Sequence, residues 1–138
     1  MGDLAHRARS RAAQRSARRG AAWGGIVEPM DEGVGAYEWF QRGMELMESR
    51  DFHPAAVALE QAKKLEPDKA SIREALGRAY LSTRQFARAA EEFEVAVEIQ
   101  PTDHYAHYCL GRAYRGLGED DRAERHYELA RCLGSKLA

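Results

Sequence analysis

The side chains able to do chemistry in this sequence are few and scattered. His104 and His107 stand three residues apart, a spacing that puts two imidazoles on one face of a helix and would offer a metal ion two ligands. No acid or thiol pattern accompanies them, His126 is the only other histidine nearby, and no H-E-x-x-H arrangement occurs, so surface or packing roles are expected and no metal is assigned. Cys109 and Cys132 lack C-x-x-C spacing and read as two semi-buried thiols rather than a redox or zinc pair. No glycine loop follows a strand to cradle phosphate, and no Ser/His/Asp or Cys/His set has a supporting context. The expectation is a chain with no catalytic residues and no cofactor.

The remaining chemistry is carried by arginine. Residues 1–20 hold Arg7, Arg9, Arg11, Arg15, Arg18 and Arg19 against Asp3 alone, a charge of +5, which leaves −6 for the rest of the chain. This arm has no aromatic or large aliphatic stripe to stack on bases or enter lipid, so a solvated tail is expected, with unspecific contact to nucleic acid or an anionic surface through residues 1–20 as the alternative. Acid-poor, Arg- and Ser-containing stretches also occur in organelle transit peptides, and a true start at Met30 would leave the arm without meaning.

Elements able to position such groups begin after the arm. The composition, 44% apolar and 31% charged, is that of a globular chain. It has no apolar run of the length a membrane helix needs and no apolar stretch of the kind a secretory signal carries, so a cytoplasmic location is expected. Residues 1–35 show no apolar periodicity and end among Gly24, Gly25, Gly33 and Gly35, which predicts a flexible tail and linker. From Ala36 the sequence repeats every 34 residues. Gly43, Gly77 and Gly111 take the eighth position of successive blocks, Ala55, Ala89 and Ala123 the twentieth, and Ala62, Ala96 and Ala130 the twenty-seventh. Large residues fill the eleventh (Leu46, Tyr80, Tyr114) and the twenty-fourth (Leu59, Phe93, Tyr127), while Pro67 and Pro101 close the first two blocks. The pattern predicts two antiparallel helices per block, small residues of one meeting large residues of the other. First helices are predicted at about 36–49, 70–82 and 104–116 and second helices at about 53–66, 87–100 and 121–133, with breaks at Ser49-Arg50-Asp51, Thr83-Arg84-Gln85 and Gly116-Leu117-Gly118.

Leu76-Gly77, Tyr80, Ala89, Phe93, Ala96 and Pro101 of the middle block, with Trp39, Gly43, Ala55, Ala62 and Pro67 of the first, resemble the tetratricopeptide repeat (TPR) family. The resemblance spans residues 36–134. It departs from the pattern at Arg42, where a leucine is usual, at Asp120, which replaces the Phe52 and Phe86 of earlier blocks, and at Gly134-Ser135, where a proline would close the block. It implies an all-α, right-handed superhelical array of three repeats, at about 36–69, 70–103 and 104–137, forming one domain over 36–138.

It also implies a site. TPR arrays hold partners in a concave groove lined by first helices, at the second, fifth, ninth and twelfth positions of each block. Carried over, these are Tyr37, Phe40, Met44 and Met47; Ser71, Glu74, Arg78 and Leu81; and Tyr105, Tyr108, Arg112 and Arg115. Some TPR domains clamp a peptide's carboxyl terminus with lysine and asparagine in block one, asparagine in block two and a basic pair in block three. Here Phe40 and Met44 replace the first two and Arg78 the third, leaving Arg112 with the expected basic character. The groove instead suits a protein or peptide with apolar side chains at one end and carboxylates at the other. The expected function is a non-catalytic adaptor or scaffold for a partner protein. The alternatives are a self-assembling oligomer joined through Tyr127, Leu129 and Leu133 of the uncapped last helix, a secretion-type chaperone, and a TPR body tethered by the arm.

Overall fold

Six helices follow one another in the computed structural model, which describes residues 33–134 and 136. They are α1 (Ala36–Glu48), α2 (Phe52–Leu65), α3 (Ala70–Ser82), α4 (Phe86–Ile99), α5 (His104–Gly116) and α6 (Asp120–Cys132). Among the described residues there is no strand, and no helix is long and apolar enough to cross a membrane. The Arg-rich arm, with all of the tail and linker up to residue 32, lies outside the described residues.

Each helix packs on the next, and the first helices of neighbouring repeats also meet, α1 on α3 and α3 on α5. The second helices have no comparable contact with one another, so the first helices form the inner rail of a curved array. The small-to-large register holds. A methyl group added at Gly77 would lie 2.7 Å from the Phe93 ring, so the glycine is what lets α4 close on α3. Gly43 meets Leu59 and Gly111 meets Tyr127 in the same way. Tyr127 is therefore packed inside its repeat and contributes nothing to the array's outer end, contrary to the sequence expectation; Leu129 and Leu133 remain exposed there. The thiols divide, with Cys109 buried in the core and Cys132 exposed.

Second helices start and stop one residue earlier than predicted, for a reason visible in the turns. Arg50, Arg84 and Gly118 end the first helices at φ of 64°, 60° and 79°. This left-handed residue turns the chain so sharply that the next one, Asp51, Gln85 or Glu119, already stands at the N-cap position of the following helix. Asp51 N–H and Gln85 N–H donate back to Leu46 and Tyr80 carbonyls at 2.8 Å. The two arginines are held in this unfavourable region while their guanidinium groups lie over Phe52 and Phe86, at 5.9 and 5.6 Å from the ring centroids. In the third repeat Asp120 replaces the phenylalanine, and Gly118 takes the left-handed position without strain.

A second periodic pairing joins the fourth position of each first helix to the twenty-third position, on the second. Trp39 and Ala58 share an apolar cluster, Arg73 and Glu92 form an ion pair at 3.2 Å, and His107 and His126 meet through their Nδ1 atoms at 3.2 Å. Arg73 Nε also donates to the Pro67 carbonyl at 2.9 Å, and His107 Nε2 to that of Pro101 at the same distance. This fixes the His107 tautomer, leaving its Nδ1 to accept from His126. His107 thus works with Pro101 and His126 rather than with His104, which is exposed.

Glu92 is buried and takes Lys63 Nζ at 2.9 Å as well as Arg73, tying α2, α3 and α4 together. Burial opposes charge on Lys63, but its hydrogen bonds to Glu92 and Glu60 raise its pKa. Replacing Glu92 with alanine leaves Arg73 without its anion and Lys63 with Glu60 alone, and is expected to cost about 3 kcal/mol in denaturant unfolding. Glu98→Ala, at an exposed position of the same helix, is expected to change stability by less than about 0.5 kcal/mol.

Candidate functional site

The inner rail presents the groove residues in graded depth. Tyr37, Ser71, Arg78, Arg112 and Arg115 are exposed, and Phe40, Met44, Glu74, Tyr105 and Tyr108 are half-buried. Met47 and Leu81 are buried at 8% exposure each and belong to the core cluster, so they floor the groove instead of lining its surface. Phe40, Met44, Tyr105 and Tyr108 pack their inner edges on the same cluster.

At the centre the structure gathers α3 and α5 around one spot. Tyr105 and Cys109 stand one turn apart on α5, and the charges of Arg78 and Arg112 act on both. Burial pushes the Cys109 thiol up to about 11 and Tyr105 up to about 12, so the thiol stays protonated and unreactive. Asp103 caps α5, accepting from the backbone N–H of Tyr105 at 3.1 Å and of Ala106 at 3.2 Å. Burial, and after it the Asp103 carboxylate, push the Glu74 carboxyl up to about 8, and its Oε1 is buried without a hydrogen-bond partner among the described residues.

Toward the last repeat a pocket of about 300 Å³ opens between the end of α3 and the pair α5–α6. Leu81 forms its floor, Phe86, Tyr108 and Tyr127 its walls, and Arg112 and Arg115 its rim. Tyr108 and Tyr127 have ring centroids 5.8 Å apart, and the Arg115 guanidinium lies 5.4 Å from the Tyr127 centroid. Its size, at the lower limit of ligand pockets, matches a side chain rather than a cofactor. Arg78, Arg112 and Arg115 make no ion pair among the described residues, whereas Arg73, Arg122 and Arg131 all do.

A larger hollow of about 470 Å³ lies against α2, lined by His53, Val57, Glu60, Tyr80 and Thr83 among others. Most of its polar groups are already engaged: Tyr80 donates to Glu60, Lys63 pairs with Glu60, and Gln85 donates to Thr83. The exposed arginines without ion pairs among the described residues are in the groove, which is the stronger candidate despite its smaller pocket. Among the described residues no three of His, Cys, Asp and Glu are grouped to hold a metal.

Sequence reasoning missed Phe86 and Tyr127 as pocket walls, because both belong to second helices.

Two family models described as tetratricopeptide repeat match residues 40–104 and 92–125. No curated protein matches the sequence. Among solved structures, the first TPR domain of Spaghetti (RPAP3) bound to the HSP90 peptide SRMEEVD superposes with a TM-score of 0.69 at 19% identity, over 72% of this chain and 79% of that one. MamA residues 41–end from Desulfovibrio magneticus RS-1 gives 0.73 at 23% identity, over 93% of this chain and 75% of that one. In the CopN-Scc3 complex the matching chain gives 0.69 at 18% identity, over 73% of this chain and 59% of that one. At these identities the likeness is one of fold. Repeat period, six-helix array and both matched stretches agree, and the chain belongs to the tetratricopeptide repeat family.

Proposed function

We propose that the concave groove captures a segment of a partner protein and that the chain acts as a non-catalytic cytoplasmic adaptor. The observation that carries the reading is the placement of Arg78 and Arg112 on the inner rail, exposed and without ion pairs among the described residues, beside half-buried aromatic rings. Such guanidinium groups suit carboxylates, while Tyr37, Phe40 and Met44 suit apolar side chains at the other end. The Spaghetti (RPAP3) domain, of the same fold, holds an HSP90 peptide containing two glutamates and an aspartate. Phe40, Met44 and Arg78 make this groove differ from a carboxyl-terminal clamp, so an internal acidic–apolar segment is the favoured ligand.

Selection from a random peptide library tests this. Peptides enriched in Asp or Glu beside aliphatic or aromatic residues are expected, with binding lost in the Arg78→Ala/Arg112→Ala variant. Enrichment that the double variant leaves unchanged would remove the groove as the site.

Self-assembly is a second reading, favoured by Leu117, Leu129 and Leu133, exposed at 43%, 45% and 37% on the last repeat. Leu129→Glu/Leu133→Glu is then expected to abolish a concentration-dependent dimer in light scattering. A strict monomer in the parent protein counts against it.

A further inference from the structure

We propose that His107 and His126 form an acid-sensitive latch, which holds α6 on the array at neutral pH and releases it as the pH falls below the histidine range. The inference does not depend on the groove reading.

The latch is a change of residues in a repeated joint. In the middle repeat Arg73 on α3 donates to the Pro67 carbonyl and pairs with Glu92 on α4. One repeat later His107 on α5 donates through Nε2 to the Pro101 carbonyl and meets His126 on α6, Nδ1 to Nδ1 at 3.2 Å with the rings stacked. An Arg–Glu joint keeps both charges from pH 7 to pH 5, whereas a His–His joint titrates there.

Acid opens the joint because it runs out of acceptors. His107 Nε2 is committed to Pro101, so in the neutral ring Nδ1 accepts and His126 Nδ1 carries the proton between them. One added proton goes to His126 Nε2 and leaves this bond intact. A second goes to His107 Nδ1 and sets two N–H groups against each other between two cationic rings, one of them buried at 7% exposure. Released from each other, both imidazoles take up protons near pH 6.5. At pH 5 the released state therefore holds at least one more proton than the docked state, and the balance moves toward release by up to about tenfold per pH unit.

The charged groups around the pair do not reverse this. Glu94 on α4 favours a cationic His126, but it already accepts from the Tyr114 hydroxyl of α5, whose ring centroid lies 5.5 Å from that of His126. Arg125 and Arg122, on α6 itself, oppose the charge. Burial first, and then His107, hold the His126 pKa below its ordinary value, so the stability this ring contributes is complete above about pH 6.5 and is lost on acidification. Little else holds the helix. α6 is the last helix among the described residues, packs chiefly on α5 and buries Ala123, Tyr127 and Ala130 alone. Because Tyr127 walls the groove pocket, release of α6 takes that wall away.

Hydrogen exchange of the full chain tests the latch, read by mass spectrometry over residues 120–132 against residues 70–82 and corrected for the intrinsic pH dependence of exchange. Two variants remove the second protonation. His107→Arg/His126→Glu copies the joint of the middle repeat, and His126→Asn supplies an amide that donates to a neutral His107 and accepts from a charged one. Nitrogen-15 NMR of the imidazoles at pH 7.5 reads the joint itself.

In the parent protein, exchange in α6 relative to α3 is expected to rise at least about tenfold from pH 7.5 to pH 5, and in the variants to stay flat. His126 is expected as the Nδ1–H tautomer and His107 as Nε2–H. A parent whose α6 exchange does not rise overturns the latch, as does an equal rise in either variant. His126 protonated on Nε2 rather than Nδ1 at pH 7.5 overturns the hydrogen bond on which it rests. Should neither variant fold, the exchange and tautomers of the parent decide.

Discussion

Reversing both charges, Arg78→Glu with Arg112→Glu, is expected to weaken capture of the partner segment by at least about 100-fold, or about 2.8 kcal/mol. The size follows from placement. Both guanidinium groups act on the same two groups, the half-buried Tyr105 and the buried Cys109, so they flank one spot from α3 and α5 rather than two separate patches. A carboxylate seated there meets both, and the reversed pair presents it with two like charges. Single reversals are expected to cost less than half as much each, because the remaining arginine still attracts. Screening length shrinks to about 3 Å at 1 M salt, so the parent's affinity is expected to drop with added salt while the reversed variant's changes little. Fluorescence polarisation across a salt series reads both effects. Stability is expected to remain within about 0.5 kcal/mol of the parent, since neither arginine makes an ion pair among the described residues.

The largest stability effect is expected at Phe93. Its side chain is fully buried, and its ring fills the space that Gly77 leaves open on α3. Phe93→Ala removes the ring and leaves a cavity at the middle of the array, for about 3–5 kcal/mol. In a domain whose total stability is about 5–15 kcal/mol, that is a large share. The molecule supplies its own control. In the first repeat Leu59 fills the corresponding place against Gly43 with no exposure at all. Phe93→Leu is therefore expected to cost about 1–1.5 kcal/mol, the remainder reflecting a smaller side chain in a site shaped for a ring. Urea unfolding followed by circular dichroism measures both. Because neighbouring repeats stabilise each other, loss at the middle repeat is expected to broaden the transition as well as shift it.

These expectations show what the sequence made legible. The 34-residue period located the helices, and the eighth and twenty-fourth positions gave the register in which Gly77 meets Phe93 and Gly111 meets Tyr127, because close packing leaves a small residue at every near approach. The helix starts were off by one at each second helix. Nothing in the residue types of Arg50 and Arg84 announces a left-handed conformation; that conformation becomes apparent only with Phe52 and Phe86 stacked beneath them.

The candidate site was less legible. The family pattern named the first-helix residues but could not distinguish Met47 and Leu81, which sink into the core, from Arg78 and Arg112, which do not. Pocket walls from Phe86 and Tyr127, and the pairs Arg73–Glu92 and His107–His126, join residues about half a repeat apart and on different helices. Their relation is one of packing, which periodicity in apolar character does not encode.

The central claim is that the inner rail, and not the outer helices, holds the partner. Site-specific photo-crosslinking tests it most directly, with benzoylphenylalanine placed at Tyr108 in the groove and, separately, at Glu98 on the exposed side of α4. Covalent adducts with a ligand from the selected acidic–apolar peptides are expected from Tyr108, reduced when Arg78 and Arg112 are both alanine, and not from Glu98. Adducts forming from Glu98 and not from Tyr108 would contradict the account.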